Sequence, residues 1–159
     1  MRSTATQAAG GNTAVGLQAL YSTTTGSYNT AIGNRALLLN TTGGQNTANG
    51  VNALYGNTTG RDNTATGVNA LTINATGNGN TAMGQGTLRT NTTGDLNTAV
   101  GNLALASNGN GGANTAIGTS AMYSNIDGNG NTAIGLQALT MNISGVFNTA
   151  VGFFRASKH

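Results

Sequence analysis

The amino-acid sequence predicts an all-β fold, a parallel β-solenoid (β-roll) of nine 17-residue coils. Three observations predict it. Asn-Thr-Ala begins at Asn12, Asn29, Asn46, Asn63, Asn80, Asn97, Asn114, Asn131 and Asn148, every step 17 residues with no insertion. Two glycine files keep the same period, one through Gly16, Gly33 and Gly50, the other through Gly26, Gly43 and Gly60. Thr (27), Gly (26) and Asn (24) fill nearly half of the 159 residues, and there is no Pro to interrupt the repeat. A stacked helical pair needs roughly 33 residues or more, and Gly and Asn disfavour helices. A small β-coil fits.

Each element follows from the aligned unit N-T-A-[V/I]-G-x-x-A-L-x-x-N-T-T-G-x-x. Residues 1–11 keep small side chains without the motif and read as a partial coil or cap. From Asn12 the segment N-T-A-V-G reads as a strand, ended by Gly16, which permits positive φ or a bend. A-L-x-x reads as a second short strand. N-T-T-G (40–43, 57–60, 91–94) carries turn chemistry, with Asn side-chain bonding and Gly expected in the left-handed region. The repeats span 12–152. Residues 153–159 read as a cap or tail, with Phe153 and Phe154 covering the last coil and Arg155, Lys158 and His159 discouraging end-to-end stacking. Coils stacked at ~4.8 Å give a rod of roughly 40 Å.

Strand alternation places Asn12, Ala14 and Gly16 on one face and Thr13, Val15 and Leu17 on the other. The small-residue face suits a thin interior filled by Ala14, Ala19 and Leu20 and their copies. The Asn12 file (Asn29, Asn46, Asn63, Asn80, Asn97, Asn114, Asn131, Asn148) is then expected to exchange amide hydrogen bonds along the axis. Outward lie two columns. One is Thr13, Thr30, Thr47, Thr64, Thr81, Thr98, Thr115, Thr132 and Thr149. The other is Val15, Ile32, Asn49, Thr66, Met83, Val100, Ile117, Ile134 and Val151. An exposed apolar stripe of that length marks an interface. The alternative assignment inverts the faces and makes Thr13 and Val15 core.

Catalysis requires titratable groups held together, and the residues here oppose it. His159 is the terminal residue, and Asp62, Asp95 and Asp127 fall in three different registers, which also excludes a calcium ladder. With no Cys there is no thiolate nucleophile or disulfide. The Gly-rich stretch 108–112 has no Lys-Ser/Thr after it and reads as turns rather than a phosphate loop. No enzyme activity, cofactor or metal is therefore expected. The net charge of +3 comes from six scattered cations, so no nucleic-acid stripe is expected. No apolar run approaches the ~20 residues of a membrane span, and residues 1–11 lack the apolar core of a signal peptide. Tyr21, Tyr55 and Tyr123 share one register and read as surface residues, with carbohydrate contact along that ridge the lesser reading. The sequons at Asn40, Asn57, Asn74, Asn91 and Asn142 are explained by turn chemistry before glycosylation.

The core N-T-A-[V/I]-G-x-x-A, as at 29–36 and 131–138, resembles the head repeats of trimeric autotransporter adhesins. Over 12–152 the fuller N-T-A-x-G-x-x-A-L-x-x-N-T-T-G more closely resembles phage-like tail-fibre proteins. That resemblance implies a left-handed parallel β-roll, three chains around an axis, and the Ile/Val column facing the trimer centre. Two functions are expected to compete. The first is a structural or adhesive module of an extracellular fibre or surface adhesin, a homotrimer presenting residues to a cell-surface or matrix ligand. The second is an ice-binding protein, in which the Thr13 column on a flat solenoid face orders water.

Overall fold

The structure, a computed structural model, describes residues 10–153. It contains nine three-residue strands: β1 (Thr13–Val15), β2 (Thr30–Ile32), β3 (Thr47–Asn49), β4 (Thr64–Thr66), β5 (Thr81–Met83), β6 (Thr98–Val100), β7 (Thr115–Ile117), β8 (Thr132–Ile134) and β9 (Thr149–Val151). They form one parallel sheet in chain order, joined by eight complete turns of the solenoid. Pairing is in register throughout: Thr13 faces Thr30, Ala14 faces Ala31 and Val15 faces Ile32, and so on to β9. A perfect 17-residue period is what such stacking demands, because one inserted residue would flip every later side chain to the other face. The stack extends back to Gly10, whose carbonyl accepts the Tyr28 N–H at 2.9 Å.

Alanines from Ala31 to Ala133 are buried at the middle position of their strands, with Thr and Val or Ile turned outward. Across the interior from them lie the Ala36 and Leu37 files, also buried. Aside from Met122, Leu is the largest fully buried residue of the core, as the thin coil requires.

The second strand expected at A-L-x-x does not form. Gly16 adopts φ +133° and turns the chain out of the sheet, and Gln18 (φ 60°) and Leu20 (φ 53°) are then both left-handed. Two tight turns follow in succession, closed in the second coil by Ala36 N–H to the Gly33 carbonyl (3.4 Å) and Asn40 N–H to the Leu37 carbonyl (3.3 Å). The coils still bond to one another here, for example Leu37 N–H to the Ala53 carbonyl at 3.0 Å. A rod this narrow leaves no length for a second extended run, so the chain corners instead.

Leu is a poor residue for this conformation, which costs an L-residue roughly 1–2 kcal/mol. Its burial returns about 1.5–3 kcal/mol, and the conformation persists because the side chain has nowhere else to go. Leu88→Ala keeps the backbone cost and removes the compensation. It should destabilise the protein by about 2–5 kcal/mol, read as a lower midpoint in denaturant unfolding. An unchanged midpoint would show that the Leu file is not what holds these turns.

The glycines of N-T-T-G also depart from expectation. None of the Gly26 file lies in the left-handed region; that role falls two residues later, to Tyr28 (φ 60°), Gln45 (φ 59°) and their copies. Glycine is needed here for space. A Cβ on Gly77 would sit 2.5 Å from the Gly94 carbonyl oxygen, 2.5 Å from Asn74 Oδ1 and 2.8 Å from Asn91 Nδ2.

Candidate interaction face

Two buried asparagine ladders hold the coil against which the outer face is built. In the Asn12 file, Asn46 Nδ2 donates to Asn29 Oδ1 (3.1 Å) and to the Gly60 carbonyl (2.9 Å). Its Oδ1 accepts the backbone N–H and Nδ2 of Asn63, both at 3.1 Å. All four bonding capacities of the amide are used, which is what lets it sit in the interior without a desolvation cost. The second ladder is the sequon file. Asn57 Nδ2 donates to Asn40 Oδ1 (2.8 Å) and to the Gly60 carbonyl (3.0 Å). Both ladders thus converge on the same carbonyl in each coil. Asn40, Asn57, Asn74 and Asn91 are fully buried, so the folded chain does not present these sequons for glycosylation.

The sheet's outer surface carries the Thr13 file. In-register pairing spaces its members at ~4.8 Å, and every one is exposed or half-buried. No hydroxyl of this file hydrogen-bonds to another described residue. The Thr41 register behaves differently. Thr41 and Thr58 donate their hydroxyls to carbonyls of the next coil, at 2.9 and 2.8 Å. The same residue type is thus structural in one register and unengaged in another.

Beside the Thr13 file runs the Val15 file, in which Val15, Ile32, Met83, Ile117, Ile134 and Val151 are exposed and Val100 is half-buried. Asn49 and Thr66 interrupt it. A third file, the one that strand alternation places outward at Leu17, adds to these two. Two residues after the Val15-type position, five of the nine coils expose an apolar side chain: Leu17, Val51, Val68, Leu136 and Phe153. Val51 follows Asn49 and Val68 follows Thr66, so each coil that is polar in one file is apolar in the other. Every coil from β1 to β9 therefore carries an exposed or half-buried apolar side chain in one file or the other. Alternation places Leu17 outward with Val15, but that Val51 and Val68 stand in for Asn49 and Thr66 emerges only when the two columns are compared coil by coil.

The remaining candidates stay dispersed. Asp62, Asp95 and Asp127 are all exposed, and Asp95 Oδ1 accepts the Asn78 backbone N–H at 2.6 Å. Tyr21 is exposed, whereas Tyr55 and Tyr123 are half-buried. Phe153 is 65% exposed and Phe154 lies outside the described residues, as do Arg155, Lys158 and His159. No group of three or more His, Cys, Asp or Glu that could hold a metal occurs among the described residues. No helix among them is long and apolar enough to cross a membrane. No protein-family model matches the chain, and neither does a curated protein or a solved structure.

Proposed function

We propose that this chain is a non-enzymatic structural and adhesive module of an extracellular fibre or surface adhesin, assembled as a homotrimer. The observation that carries the reading is the apolar band formed jointly by the Val15 and Leu17 files. An exposed apolar stripe along a whole rod requires a partner, and a partner with the same period is another copy of the chain. Three rods around one axis cover three such bands with a single type of contact, as closed cyclic symmetry allows. The surfaces left outside are rigid and regular, suited to presenting contacts to a cell-surface or matrix ligand. Light scattering tests the assembly: the reading requires a mass of three chains at tens of micromolar, and a strict monomer there sinks it.

A second reading is favoured by the unengaged hydroxyls of the Thr13 file. A flat, regularly spaced array of Thr beside aliphatic side chains can order water as an ice-binding face does. It predicts a solitary rod with thermal hysteresis and shaped ice crystals. Under it, Thr81→Tyr in the central coil should abolish hysteresis by placing a ring across the flat face. Under the trimeric reading the same substitution leaves the mass at three chains. An unaltered freezing point in the wild type removes the ice-binding reading altogether.

A further inference from the structure

We propose that a shallow groove over the second coil, flanked by the first and third, is a binding subsite for an acidic pyranose, a hexuronate-like sugar. This deepens the adhesive part of the function above by naming a ligand class, and it rests on residues outside the apolar band.

The groove is a product of register. Ser27, Gly44 and Arg61 occupy one file on successive coils, and the missing side chain at Gly44 leaves the floor open between the other two. Thr25 and Thr42 form one wall, Tyr28 and Gln45 the other. The Tyr28 ring leans back over Gly11: a Cβ there would meet ring carbons at 2.7 and 3.0 Å. One side of the ring is thus packed on the coil before it, and the residue remains 72% exposed where it lines the groove. Among the described residues the side chains of Thr25, Thr42, Gln45 and Arg61 make no hydrogen bond, so their donors and acceptors are unspent. Ser27 differs, since its Oγ already accepts the Gly10 N–H at 3.2 Å and donates to the Thr25 carbonyl at 3.3 Å.

A pyranose matches this arrangement on two sides. Its apolar C–H face packs on an exposed aromatic ring, which offers area at low conformational-entropy cost. Its hydroxyls need neutral donors and acceptors, which Gln45, Thr25 and Thr42 supply in amide and hydroxyl form. Arg61 adds a planar cationic fork that pairs best with a carboxylate. Asp62, the next residue along, does not line the groove. A flat aromatic-free face would fit water or ice, and a nucleic acid would need a longer cationic track. One ring, one guanidinium and a floor the size of a missing side chain fit a single sugar.

The repeat provides variants already accommodated by the fold at the same register. Asn78 occupies the Gly44 file and Gln45 the Tyr28 file; Gly44→Asn fills the floor, with its Cβ 3.0 Å from the Ser27 carbonyl oxygen and a shift of a few tenths of an ångström to relieve it, and Tyr28→Gln removes the platform. Saturation-transfer NMR with methyl glucuronide and, separately, methyl glucoside reads the outcome, with circular dichroism confirming the fold. Wild-type protein should saturate the glucuronide ring protons more strongly than those of the glucoside. Gly44→Asn and Tyr28→Gln should each weaken glucuronide binding about tenfold or more, a loss of ~1.4 kcal/mol. Arg61→Asn should equalise the two sugars. No saturation in the wild type, or undiminished saturation in Gly44→Asn, overturns the subsite; equal binding of both sugars by the wild type overturns its acidic preference. Light scattering on the same samples separates the readings. Sugar binding by a monomer keeps the groove and removes the trimer, and a trimer without sugar binding does the reverse.

Discussion

Gly77→Ala should be among the most destabilising single methyl additions this protein can receive, at about 3–5 kcal/mol. The new Cβ would lie 2.5 Å from the Gly94 carbonyl oxygen and 2.5 Å from Asn74 Oδ1. Neither atom is able to retreat. The Gly94 carbonyl accepts Asn80 Nδ2 and Asn91 Nδ2, both at 2.8 Å, and Asn74 Oδ1 accepts Asn91 Nδ2 at 2.8 Å. Overpacking alone costs about 1–3 kcal/mol. Displacing a buried amide from its partner adds about 1–3 kcal/mol for each group left unpaired. The fitting control is Gly56→Ser, at a register where Ser22, Ser107 and Ser124 already stand; its Cβ would lie 3.0 Å from the Thr72 carbonyl oxygen, a milder overlap, and its effect should stay near the lower end of overpacking, about 1 kcal/mol. Denaturant midpoints compare the two directly. If both variants unfold together with the wild type, the convergence of the two ladders on one carbonyl is not the spine of the coil.

This result bears on what was legible in the sequence. The period, the strand at Thr13–Val15, the bend at Gly16 and the Ala and Leu interior all follow from alternation and size. They are rules that act on neighbouring residues. What escaped is set by contacts between coils. Leu20 stands in a left-handed turn that turn chemistry assigns to Gly or Asn, because burial of its side chain overrides local preference. Gly26 is glycine for want of space beneath the next coil, and no property of its own turn reveals that. Asn40 looked like a turn residue and is also a rung of a buried ladder. The outer face was largely legible: alternation placed Thr13, Val15 and Leu17 outward, but the complementarity of the last two columns at Val51 and Val68 is a relation between coils, which the strand pattern of one coil does not carry.

Under the proposed trimeric assembly, Ile117→Lys should leave monomers of 15.7 kDa in place of the trimer. Ile117 is 39% exposed in the single chain, so the lysine is harmless to the fold, and circular dichroism should not change. In the proposed assembly, with the Ile117 column at the axis, the same substitution would bring three ammonium groups together away from water. An uncompensated buried charge costs several kcal/mol for each ion, and threefold symmetry repeats that cost with like-charge repulsion added. The complementary files make a sharper forecast than this one variant. Where Thr66 leaves the Val15 file polar, the neighbouring Val68 carries the contact, so Val68→Lys should dissociate the assembly as Ile117→Lys does. In the coil of Val100 the corresponding residue is already Asn102, polar and exposed, so Asn102→Lys should leave a trimer. Light scattering at tens of micromolar reads all three. Equal tolerance of Ile117→Lys and Val68→Lys would mean that the band faces water, and the unengaged threonines beside it would then become the surface to explain. Dissociation by Ile117→Lys and Val68→Lys, but not by Asn102→Lys, would identify the two files as one interface shared between positions on either side of a glycine bend.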